Sequence, residues 1–192
     1  MELVFASHNE NKVSEVRNIL PSNFKIISLV RNFGQTAAIM AGIDNSNGEI
    51  IIMMDGDGQN DPSDIDKLLD MIKNDGFDVV SGWRFKRNDS FLRVLFSKIA
   101  NKLLSFFLNL ELHDYGCTLK AYKRDIIKNI KLYGEMHRLI PFYAKLEGAK
   151  IGEVKINHFS RRFGKSKYGM SRIFKVLLDT ILLVFFRRFI NK

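Results

Sequence analysis

The sequence predicts an α/β fold, a mainly parallel sheet with helices on both faces. Three observations carry this. Short apolar runs alternate with stretches of helical periodicity from Leu3 onward. One run, Ile50 to Met54, is apolar without alternation, which suits a strand buried on both faces. Carboxylates follow it directly, at the carboxyl end where open α/β sheets bind ligands.

The elements follow in order. Leu3 to Ala6 reads as a short strand, Asn11 to Leu20 as a helix and Phe24 to Leu29 as a second strand, with Pro21-Ser22-Asn23 as the turn between. Ala-rich Thr36 to Asp44 is the next helix, closed by Asn45 to Gly48. After the Ile50 strand, Asn60-Asp61-Pro62 starts a helix with a capping side chain and Pro at its first position. That helix sets Ile65, Leu68, Leu69 and Ile72 on one face. Asp78 to Gly82 is a strand, Phe91 to Leu108 a long apolar helix, Asp114 to Cys117 a turn and Thr118 to Tyr122 a strand. Val154, Ile156 and His158 alternate with Glu153, Lys155 and Asn157 as a half-buried last strand.

At 192 residues, 46% hydrophobic and with 16 Phe, the chain can bury a real core and is not disordered. Its single cysteine, Cys117, excludes an internal disulfide framework and fits a reducing compartment. Polar residues from His8 to Lys12 leave no room for a secretory signal, and no segment is an uninterrupted apolar span. The net charge of +9 is concentrated: Phe159 to Lys192 holds nine Lys and Arg against Asp179 alone. Its apolar content, Ile173 to Ile190, favours an anionic membrane surface over nucleic acid, and no nucleic-acid-binding motif is present.

Asp55, Asp57 and Gln59 are hard oxygen donors spaced by two, suited to Mg²⁺ or Mn²⁺ holding a substrate diphosphate. The competing reading is an acidic turn with helix-capping aspartates. Arg93 and Ser97 sit four apart on one helix face and could together hydrogen-bond phosphate oxygens; otherwise Arg93 is a solvated charge.

Several blocks occur together: Arg31-Asn32-Phe33-Gly34-Gln35, Asp55-Gly56-Asp57-Gly58-Gln59, Ser81 to Arg84, Asp114 to Cys117, Tyr133-Gly134-Glu135 and Arg161 to Tyr168. In this order they resemble family 2 glycosyltransferases of the polyprenyl-phosphate type, similar to dolichyl-phosphate mannose synthase. The resemblance covers residues 29–192 and implies a GT-A type, Rossmann-like fold. It implies an inverting, metal-dependent hexosyltransferase that moves a sugar from a nucleotide sugar to a polyprenyl phosphate. It further implies a peripheral protein on the cytoplasmic face of the membrane. By that resemblance Asp55, Asp57 and Gln59 hold the metal, and Asp114 faces the reacting centre as a base or acceptor-orienting group. Arg84, Arg161, Arg162, Lys165 and Lys167 are then phosphate contacts.

Residues 1–28 resemble instead the start of an inosine/xanthosine triphosphate pyrophosphatase, whose Ser-His-Asn-x-x-Asn-Lys segment, here Ser7 to Lys12, contacts nucleotide phosphates. The expected organisation is thus residues 1–28, a catalytic domain over 29–160 incomplete at its start, and a basic interfacial segment over 161–192. Asn9 and Glu10 can imitate the transferase family's first donor-binding turn, but its second strand, ending in Asp-Asp-x-Ser, has no counterpart. Weakened donor binding and an unpaired sheet edge are expected. An inactive chimeric, membrane-associated remnant is the first alternative function, and a nucleoside triphosphate pyrophosphatase the second.

Overall fold

Strand and helix alternate through the chain: β1 (Val4–Ser7), α1 (Glu10–Ile19), β2 (Lys25–Ser28), α2 (Gln35–Asp44) and β3 (Ile50–Met53). A 3₁₀ turn (Pro62–Asp64) leads into α3 (Ile65–Lys73), then β4 (Val79–Arg84), α4 (Phe91–Leu108), β5 (Lys120–Lys123) and α5 (Arg124–Ile127). A second 3₁₀ turn (Met136–Leu139) precedes α6 (Ile140–Leu146) and β6 (Ile151–Ile156). The computed structural model describes residues 2–19, 24–86, 91–132, 134 and 136–160. Arg161, Arg162, Lys165, Lys167 and the expected interfacial segment lie outside the described residues, as do Tyr133, Glu135 and the side chain of Arg93.

Two sheets form. β1 and β2 pair in parallel, and the other four strands make a sheet in the order β3-β5-β4-β6. Three of those four share one direction; β5 runs against both its neighbours, while β4 and β6 are parallel. The reversal has a plain cause. Asp114 sits beside Arg84, at the carboxyl end of β4, so the strand that starts just after it can only run back. Among the described strands β3 pairs only with β5, leaving the other edge without a ladder. β1, α1 and β2 form a parallel strand–helix–strand unit, so a second strand is present, although it ends at Ser28 without paired aspartates.

The pleat sorts the core into two faces. Ile51, Tyr122 and Val79 pack on one side with Ile43 of α2, Ile127 of α5 and Ile140 of α6. Val80, Ala121 and Ile156 pack on the other with Leu68 and Ile72 of α3. Helices therefore cover both faces. The carboxyl half of α4 joins through Leu104 and Leu108, which meet Leu139 and Phe142. Asn101 of α4 donates to the His113 carbonyl (2.7 Å), fastening the helix to the turn that precedes β5.

At Gly82 the backbone of β4 lies tight against the residue that precedes β5. Its amide donates to the Leu119 carbonyl (2.9 Å), and a Cβ there would lie 2.8 Å from that oxygen and 2.9 Å from Ile156 Cδ1. Backbone cannot yield as a side chain can. Gly82→Ala should therefore cost about 1–3 kcal/mol of stability. Urea unfolding checks this, and a midpoint equal to that of the unsubstituted protein contradicts it.

Candidate active site

The loop after β3 carries the carboxylate pair. Asp57 accepts from the Gln59 amide (3.2 Å), and Gly58 turns the loop with φ 70°. The Gln59 side-chain nitrogen donates to the Phe159 carbonyl (3.4 Å), so only its Oε1 could serve a cation. The Phe159 amide returns a bond to the Gln59 carbonyl (2.9 Å), and Asn60 bridges to His158. Deeper in, the Asn157 amide donates to buried Asp64 (2.6 Å). Asp61 caps the 3₁₀ turn through the Ser63 amide (3.0 Å), as its place before Pro62 predicts. This zipper brings the end of β6 against the carboxylate loop, just before the basic run that begins at Arg161.

Burial, and then the charge of Asp57, push the Asp55 carboxyl above its ordinary range. The Thr118 hydroxyl, Arg84 and Lys120 act in the other direction. Gln35, at the start of α2, also donates to Asp55 (3.3 Å). A carboxyl held back from ionising in part by a neighbouring carboxylate's charge is the donor chemistry a divalent cation relieves. Among the described residues no three His, Cys, Asp or Glu side chains gather into a metal cage. The donors this loop itself offers are the Asp55 and Asp57 carboxylates and the Gln59 Oε1.

Beside this pair lies a second charged unit. Arg84 grips Asp114 in a fork, Nε to Oδ2 at 2.6 Å and Nη2 to Oδ1 at 2.8 Å. Asp114 is buried, and Gly116 donates to it from two residues on (3.2 Å). A Cβ on Gly116 would stand 3.2 Å from Arg84 Nη2, so the turn passes tightly under the guanidinium. Asp114 and Arg84, separate candidates in the sequence, are one ion pair here.

Two charged residues that sequence reasoning did not single out support the turn. Lys120 is 2% exposed and donates to the Tyr115 (3.1 Å) and Cys117 (2.5 Å) carbonyls. Burial lowers its ammonium to about 8. Glu153 on β6 accepts from the amides of His113 (3.0 Å) and Asp114 (3.1 Å) and from the His113 ring (2.7 Å). A lysine inside the apolar run Leu119 to Tyr122 was the one signal that could have revealed Lys120. Cys117 is buried, and burial pushes its thiol up to about 11, which suits packing and not attack.

The remaining candidates lie at the start of α1 and on α4. Asn9 caps α1, donating its amide to Ser7 Oγ and accepting from the Lys12 amide (3.2 Å each); Glu10 opens that helix. Both are exposed. Ser97 is half-buried on α4, one turn before Asn101. The structure thus joins Asp55, Asp57, Arg84 and Asp114, and it adds Gln35, Thr118 and Lys120 around Asp55.

Removing the Asp57 charge should let Asp55 ionise more easily. In Asp57→Asn the Asp55 carboxyl is expected to titrate lower, yet still above its ordinary range because burial remains. Carboxyl NMR titration reads this directly. Mn²⁺ affinity should fall by at least about tenfold in the same protein. Unchanged Asp55 titration and unchanged Mn²⁺ binding would contradict the pairing.

A profile described as "Glycosyl transferase family 2" matches residues 7–131, so the match takes in most of residues 1–28, which sequence pattern alone sets apart from that family. The chain is 47% identical over 168 residues to a dodecaprenyl-phosphate galacturonate synthase of Rhizobium johnstonii, covering 86% of this chain and 50% of that one. It is 39% identical over 155 residues to an undecaprenyl-phosphate 4-deoxy-4-formamido-L-arabinose transferase of Salmonella paratyphi B, covering 81% and 47%. The chain spans about half the length of these relatives. Among solved structures it is similar to glucosyl-3-phosphoglycerate synthase of Mycobacterium tuberculosis, in complex with Mn²⁺, UDP and glucosyl-3-phosphoglycerate, at a TM-score of 0.70, 16% identity and coverage of 95% and 68%. Mannosyl-3-phosphoglycerate synthase of Rubrobacter xylanophilus gives 0.69, 12%, 94% and 62%. The fold is of the GT-A type, and the chain belongs to glycosyltransferase family 2.

Proposed function

We propose that this protein transfers a hexose, with inversion, from a nucleotide diphosphate sugar to a polyprenyl phosphate at a membrane surface. The observation that carries it is the carboxylate pair Asp55 and Asp57 beside the Arg84–Asp114 fork, at one end of the sheet. Asp55, Asp57 and the Gln59 oxygen would hold Mg²⁺ or Mn²⁺, which when bound offsets charge on the leaving nucleoside diphosphate. The acceptor phosphate is already ionised at neutral pH, so it needs alignment more than deprotonation. A carboxylate engaged by both prongs of a guanidinium suits that orienting role better than proton abstraction. Arg93, Ser97, Arg161, Arg162, Lys165 and Lys167 are our candidates for the acceptor and donor phosphates, with Asn9 and Glu10 near the nucleoside.

In this proposal the protein sits on the cytoplasmic face, and α4 supports its peripheral contact with a membrane. Leu95, Ile99, Leu103, Phe106 and Phe107 are exposed along it, Phe106 by 80%. Exposed Lys98 and Lys102 flank them, and the helix has no acidic residue. Among the described residues no helix is long and apolar enough to cross a membrane. An apolar stripe with cationic flanks suits the boundary of an anionic bilayer. Phe106→Glu with Phe107→Glu should reduce binding to anionic vesicles severalfold in a flotation assay. Undiminished flotation would remove α4 from the membrane contact.

The end of β2 at Ser28, without the paired aspartates expected there, favours one second reading, an inactive remnant with a weakened donor site. Loss of two or three hydrogen bonds to the donor weakens it about 30- to 150-fold. The deciding assay supplies radiolabelled nucleotide sugars, Mn²⁺ and polyprenyl phosphate in vesicles. Label moving into the lipid phase, and abolished by Asp57→Asn, supports transfer. No label in lipid, with donor affinity restored by adding the family's usual opening unit, supports the remnant. Nucleotide hydrolysis without any lipid supports the pyrophosphatase reading.

A further inference from the structure

Three polar residues lie in one row across the strands that end at the site. Ser81 of β4 is in register with Lys120 of β5 on one side and with Glu153 of β6 on the other. Paired residues point to the same face of a sheet, so this row sits one step beyond the apolar row of Val79, Tyr122 and Ile151. The turn 113–117 crosses above it, with Asp114, Tyr115 and Cys117 all buried.

That turn has no ladder to satisfy its backbone, and buried amides and carbonyls without partners are costly. The row supplies both signs. Glu153, a carboxylate, takes the His113 and Asp114 amides on its two oxygens. Lys120, an ammonium, gives to the Tyr115 and Cys117 carbonyls. We propose that Glu153 and Lys120 are positioning residues, a charged clasp that holds the turn so that Asp114 meets Arg84 squarely. The proposal deepens the transferase reading and rests on it for its effect on turnover.

Two simpler accounts fit less well. Were Glu153 merely a surface partner for His113, its side chain would be exposed and would engage one donor. It is 10% exposed and engages three from the same turn. Were Lys120 merely a counter-charge to Asp55 and Asp114, its hydrogen bonds would go to carboxylates. Both go to backbone carbonyls. Bonds with one charged partner are about twice as strong as neutral ones, and backbone held from both polarities loses its freedom to shift. Since Cβ of Asp114 follows its tethered amide, the clasp also sets where that carboxylate stands.

Glu153→Gln keeps the shape of the side chain but replaces one acceptor by a donor, so one of the two amide bonds must be lost. Lys120→Met keeps the aliphatic stem and removes the donor. Each variant is compared with its conservative counterpart, Glu153→Asp or Lys120→Arg. The first readout is amide hydrogen exchange at 113–117 in the full chain, which does not depend on any activity. It should rise at least about tenfold there relative to β4 and β6. The second is steady-state transfer: turnover should fall about 10- to 100-fold while donor KM stays within about threefold, with Lys120→Arg recovering most of the loss. Exchange unchanged at 113–117, or raised equally throughout the sheet, overturns the clasp. So does full turnover with a loosened turn. If the unsubstituted protein transfers no sugar, the transferase reading fails while exchange alone still decides whether the clasp exists.

Discussion

The fork between Arg84 and Asp114 ties the carboxyl end of β4 to a turn 30 residues further on. Much else depends on it. It brings the chain back to the end of β4, so β5 must start there and run in reverse. That reversed strand becomes the centre of the sheet, paired with β3 on one side and β4 on the other. Its first residue, Lys120, then falls in register with Ser81 and with Met53 at the end of β3. The carboxylate loop, the fork and the buried lysine consequently share one end of one sheet.

Charge at that end is balanced locally. Asp55 and Asp57 repel, and Arg84 and Lys120 offset them in part. Of the bonds described, Arg84 gives two to Asp114, and Lys120 gives its own to backbone carbonyls. Adjacent carboxylates with hard oxygen donors suit a divalent cation.

The opening segment sets a different constraint. β1 and β2 make a parallel pair of their own, and among the described strands β3 pairs with β5 alone. β1 packs against α2, and two bonds add to that contact: Lys25 donates to the Asn45 carbonyl (3.1 Å), and the Asn47 amide to Glu2 (3.2 Å). Exposed bonds of this kind contribute little compared with a continuous ladder. The family match nonetheless begins at residue 7.

What the sequence determined by itself is local. The unbroken run before Asp55 became β3, Asp61 and Pro62 opened the helical turn, and the apolar stretch Phe91 to Leu108 became α4 over those same residues. Periodicity, capping and the fixed φ of proline act within a few residues, so they can be read without a fold. Asp55 and Asp57 were legible as a pair for the same reason. Only the tertiary structure decided that Arg84 serves Asp114, that β5 runs backwards, and that Glu153 holds an amide 39 residues away. Those outcomes depend on strand register, which chain reversal and packing of both sheet faces settle together. A glutamate alternating with valine on a half-buried strand gives no sign of which turn will pass above it.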